Sequence, residues 1–69
     1  MLDELILQVE QLRAEGAVVL LKWDGERSHA GCTVVVTRHD TDYVWRKDTD
    51  NIGVTLSEAL FDYRAHHAH

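Results

Sequence analysis

The sequence predicts an α+β domain in the order α-β-β-β-α, with a three-stranded antiparallel sheet and two helices on one face of it. Three observations carry that expectation. Apolar residues recur at helical spacing near both ends of the 69-residue chain, β-branched runs lie between them, and short turn signals separate those runs. A chain of this length forms one domain and buries only about 60% of the surface its unfolded form exposes. Disulfides, metals or oligomerisation commonly stabilise so small a core.

The first helix is expected over residues 2–15. Leu2, Leu5, Ile6, Val9 and Leu12 share a stripe that excludes Leu7, and Asp3 and Glu4 suit the positive end of the helix dipole. Gly16 stands where a C′ glycine ends a helix. Residues 17–23 then read as a strand, Asp24-Gly25 as a turn and residues 26–31 as a polar loop. Residues 32–38 are the clearest strand, and His39-Asp40-Thr41-Asp42 turns the chain into a short third strand over residues 43–47. A polar loop is expected over residues 48–53. Thr55 with Glu58 has capping-box spacing, so the second helix is placed at residues 55–65, with Val54 stapling against Ala59. Leu56, Ala59, Leu60 and Tyr63 share its apolar face and Phe61 does not. Residues 66–69, three of them histidine, read as a frayed tail.

Strand alternation sends Val19, Leu21, Val34 and Val36 toward the helices. Leu20, Val35 and Trp45 are then expected on the opposite face, where they exceed what a monomer normally exposes. Homodimerisation through Leu20, Val35 and Trp45 follows as one expectation.

Charge and composition bound the rest. The net charge is −5, and the two lysines and five arginines are scattered, so direct nucleic-acid binding is not expected. Cys32 is the only cysteine; with no internal disulfide to form, a reduced cytoplasmic setting is expected. No apolar run approaches 18 residues, and the acidic start is unlike a signal peptide, so no membrane role is expected.

Candidate chemistry is sparse. A calcium loop starting at Asp48 would need an oxygen ligand where Ile52 stands and a bidentate Glu where Ala59 stands. His29, Cys32 and His39 lack paired metal-ligand spacing, and a lone cysteine is usually a buried structural one. Cys32 and His39, seven residues apart on an extended strand, would be roughly 23 Å apart and face opposite ways. Asp40 and Asp42 on a turn read as a solvated hairpin end. No catalytic residue, metal or cofactor is therefore expected, and the chain is not read as an enzyme.

The acidic and aromatic residues of the second half remain. Asp40, Asp42, Asp48 and Asp50 are interleaved with Tyr43 and Trp45 and followed by Phe61. Two arrangements are open: the aromatics serve the core beneath solvated carboxylates, or they anchor a partner that the carboxylates steer. On the second, the partner-binding set is Asp40, Asp42, Tyr43, Trp45, Asp48, Asp50 and Phe61, with Trp23 as a further anchor.

The element order resembles the double-stranded RNA-binding domain. That family uses a basic cluster at the start of its second helix, where this chain reads Thr55-Leu56-Ser57-Glu58-Ala59. The resemblance thus implies a fold only. In format, the stretch from Asp40-Thr41-Asp42 to Asp48-Thr49-Asp50 is similar to small acidic inhibitors encoded by phages and mobile elements, such as anti-CRISPR proteins, and to bacterial immunity proteins. What that resemblance implies is a non-catalytic inhibitor whose carboxylates stand in for phosphates and occlude the nucleic-acid-binding surface of a basic protein partner. The alternative is a structural or regulatory homodimer.

Overall fold

Antiparallel register decides which side chains meet in this chain. The computed structural model describes residues 2–26, 28, 29 and 31–67. Its elements are α1 (Leu2–Ala14), β1 (Ala17–Trp23), β2 (Cys32–Arg38), a 3₁₀ turn (His39–Thr41), β3 (Tyr43–Thr49) and α2 (Ile52–His67). The strands form one antiparallel meander in the order β1-β2-β3. Both helices lie on one face, α1 against β1 and α2 against β2 and β3, and they touch each other. The α+β fold predicted from the sequence is the fold observed.

Register fixes the two faces. Val19 pairs with Val36 and Leu21 with Val34, and across the other ladder Val36 pairs with Trp45 and Arg38 with Tyr43. Paired residues share a face, so Trp45 joins Val36 on the helix-covered side, half-buried against the core. This corrects the expectation that Trp45 stands beside Leu20 and Val35. The core contains Leu12, Val34, Val36, Leu56, Ala59, Leu60, Tyr43 and Tyr63, each 5% exposed or less.

The first helix ends one residue earlier than expected. Gly16 takes φ +95°, a conformation open to glycine without a Cβ penalty, and the last turn tightens through Glu15 N–H to Leu12 O and Gly16 N–H to Arg13 O. Strand β3 runs two residues past its predicted end, because Asp48 and Thr49 still pair with Thr33 and Cys32. The second helix begins three residues early. Asn51, not Thr55, is its cap: Asn51 Oδ1 accepts from Val54 N–H at 3.1 Å, and Thr55 N–H bonds Asn51 O. Thr55 is consequently a buried position within the helix, and Val54 is exposed rather than stapled to Ala59. Asn51→Ala should cost about 1 kcal/mol of stability, measurable as a lower urea midpoint at unchanged slope.

The expected histidine tail is also corrected, since α2 continues to His67. Ala68 and His69, the rest of that tail, lie outside the described residues.

Candidate functional site

Helices cover one face of the sheet, and the other carries Val18, Leu20 and Lys22 from β1, Thr33, Val35 and Thr37 from β2, and Val44, Arg46 and Asp48 from β3. Ladder pairing arranges them in three rows: Val18-Thr37-Val44, Leu20-Val35-Arg46 and Lys22-Thr33-Asp48. The first is largely apolar and the last polar. Val18 is 63% exposed, Leu20 54% and Val44 71%. Long side chains on β1 and β3 rise on either side of β2, leaving a hollow lined by Leu20, Lys22, Asp24, Thr33, Val35 and Arg46. Thr33 Oγ1 donates to Asp48 Oδ1 at 2.6 Å, and Arg46 lies 3.9 Å from the same carboxylate. The Thr33 bond ties Asp48 to the central strand, while Val18, Leu20 and Val44 stay open to water.

The residues singled out from the sequence do not converge. Asp40 and Asp42 sit at the β2–β3 turn and Asp50 beyond the far end of β3, roughly 20 Å along the strand. Asp48 belongs to the open face. Tyr43 is 5% exposed, and Trp45 packs against the core, so the aromatics between the acidic groups serve the interior. Phe61 is 77% exposed, but on α2, across the molecule from the open face. Trp23 is 66% exposed at the end of β1, over a hollow shared with Cys32, Thr49 and Ile52. Of the three residues expected on the uncovered sheet face, Leu20 and Val35 lie there and Trp45 does not. Val18 and Val44 were missed, although the same two-residue alternation marks them.

A second cluster was not foreseen. At the β2–β3 turn, Arg38 Nε donates to Asp40 at 2.8 Å and its Nη1 to the Tyr63 hydroxyl at 3.0 Å, and that hydroxyl donates to Glu15 at 3.1 Å. The Tyr43 hydroxyl donates to Asp62. His66 and His67 rest on Tyr43, with ring centroids 4.9 and 5.1 Å away. His67 Nδ1 donates to Tyr63 O, because a carbonyl only accepts, and its Nε2 meets the Thr41 hydroxyl at 2.9 Å. This network ties the last turn of α2 to α1, β2 and the 3₁₀ turn. Its buried hydroxyls are paired, and among the described residues no group of three or more His, Cys, Asp or Glu is placed to hold a metal.

Burial pushes the Tyr43 phenol well above its ordinary range, and its bond to Asp62 adds to this. Burial also raises Tyr63, against the Arg38 bond that lowers it and with the Glu15 bond that raises it. The Arg38 bond lowers Asp40. A phenol held neutral in the folded state contributes stability that is complete below its unfolded value near 10.0 and is lost as pH climbs above it. Alkaline unfolding should therefore set in above pH 10, and Tyr43→Phe should flatten the pH dependence of the urea midpoint there. Asp40 has the opposite sign, stabilising above 3.8 and losing that as pH falls through its lower folded value. It is solvent-exposed, so that effect is small.

Comparison with protein-family models, with curated proteins and with solved structures gives no match for this chain. Among the described residues no helix is long and apolar enough to cross a membrane.

Proposed function

We propose that this chain is a non-catalytic protein-binding module that works through the open face of its sheet. One observation carries the reading: Val18, Leu20 and Val44 lie exposed together on a three-stranded sheet whose opposite face is covered by helices. Sheet faces bury apolar side chains against something, and a contiguous exposed set of this kind marks a contact surface. Lys22 and Asp48 form a charged border at one end of it, with Arg46 at its β3 edge, so that apolar side chains adjoin a polar rim.

The test uses these exposed positions, which can be changed without opening the core. Leu20→Glu and Val44→Glu should leave the circular dichroism spectrum unaltered while lowering affinity for a partner captured by the full chain at least tenfold. Unchanged affinity would sink the reading.

A second reading keeps the acidic inhibitor, in which carboxylates cover a basic, nucleic-acid-binding surface of another protein. The net charge of −5 and the exposed Asp40, Asp42 and Asp50 favour it. Asp→Asn changes at those three positions, together with rising salt, should then weaken binding while Val44→Glu leaves it intact.

A further inference from the structure

We infer that the occupant of the open sheet face is a second copy of this chain, related by a two-fold axis running along β2. This rests on the proposed role of that face in binding and names its partner. The argument begins with the order of residues across each row. A two-fold axis parallel to the strands lays β1 of one copy over β3 of the other and keeps each row opposite itself. Val18 then meets Val44 of the partner subunit, Lys22 meets the partner's Asp48, and each contact occurs twice. Val35 and Thr37 of β2 face their own mates. Arg46 lays its aliphatic stem over the partner's Leu20.

The other in-plane axis, perpendicular to the strands, reverses the rows. It sets the charged Lys22 against the partner's apolar Val18, a contact that desolvates an ammonium without a counter-charge. The charge pattern of the face therefore favours the axis along the strands over the one across them.

Charge balance points the same way. The chain as a whole carries −5, which opposes association of two copies through most of its surface. On and beside the open face, Lys22 and Arg46 are matched by Asp24 and Asp48, so this region adds no net repulsion. The hollow between β1 and β3, floored by Thr33 and Val35, leaves room for side chains of a facing copy. Sheet faces stacked in this way pack about 10 Å apart with strands nearly aligned.

Size sets the strength. Three strands of seven residues present a patch roughly 14 Å by 23 Å, about 320 Å² on each copy and well below the ~1,200 Å² total of specific interfaces. The dimer is accordingly weak and concentration-dependent.

Analytical ultracentrifugation of the full chain over a micromolar to millimolar series, with circular dichroism confirming each fold, tests this. Wild type should pass from monomer to dimer. Lys22→Asp and Asp48→Lys should each weaken self-association at least tenfold, since each places like charges in both copies of the cross-contact. An equimolar mixture of the two variants should recover dimer near the wild-type midpoint, because both cross-contacts then pair opposite charges. A wild-type chain that stays monomeric to millimolar concentration overturns the inference, as does a dimer that survives Leu20→Glu. Weakened single variants whose mixture fails to recover overturn the axis along β2. Should the chain stay monomeric while Leu20→Glu and Val44→Glu abolish binding of a different protein, the second copy is excluded and the binding role of the face stands. Should those substitutions alter neither, both fall.

Discussion

Leu12→Ala is expected to cost about 3 kcal/mol and to leave the protein close to unfolded at 37 °C. Leu12 is fully buried at the point where α1 meets β1 and α2. Truncation removes three carbons and leaves a cavity that the surrounding structure collapses around only in part. A domain of this size has a total stability of only about 5 kcal/mol, so that one change consumes most of it. The check is thermal unfolding, where a loss near 3 kcal/mol should lower Tm by roughly 12–24 °C. Leu7, on the same helix but 64% exposed, is the matched control, and its alanine variant should shift Tm by only a few degrees at most.

Tyr63 is the second position of large expected effect, and its two truncations separate two contributions. Tyr63→Phe keeps the ring among Leu56, Ala59 and Leu60 but removes the hydroxyl shared by Arg38 and Glu15. Hydrogen bonds to charged partners are worth about 1.5–3 kcal/mol each, but Arg38 keeps Asp40 and Glu15 as partners. A loss near 1.5 kcal/mol is therefore expected. Tyr63→Ala also forfeits the edge contact with Tyr43 and the tilted contact with His67, and should cost about 4 kcal/mol. Urea titrations of both variants give the two values. A Tyr63→Phe variant as stable as wild type would mean that the hydroxyl network contributes nothing, and equal losses would mean that the ring adds nothing beyond the hydroxyl.

How much of this could be read in the chain varied with what each element depends on. Strands β1 and β2 matched their predicted limits because each is a continuous β-branched and aliphatic run closed off by turn residues. Where β3 ends depends on a ladder with β2, and Asp48 has low strand propensity, so local reading stopped two residues short. The start of α2 was misplaced because Thr55 and Glu58 imitate a capping box, while Asn51 does the capping. Its last turn looked like a polar tail because His66 and His67 are held by Tyr43 and Thr41, distant in sequence. Helices in proteins owe most of their stability to such tertiary contacts. The candidate face was half legible: alternation placed Leu20 and Val35 correctly. Trp45 was misassigned because period two gives two faces without saying which strand's odd residues match which neighbour's even ones. The acidic residues, conspicuous in composition, proved to be dispersed over both ends of the sheet and its open face.

The central position of β2 has a kinetic side. Its ladders to β1 and β3 close loops between near neighbours in sequence, whereas α1 and the turn after it reach α2 through Gln11 to Arg64 and Glu15 to Tyr63. Short loops close at less entropic cost than long ones. The meander is thus set to form before the two helices meet, with β2 amides the last to exchange with deuterium and α1 the first element to open.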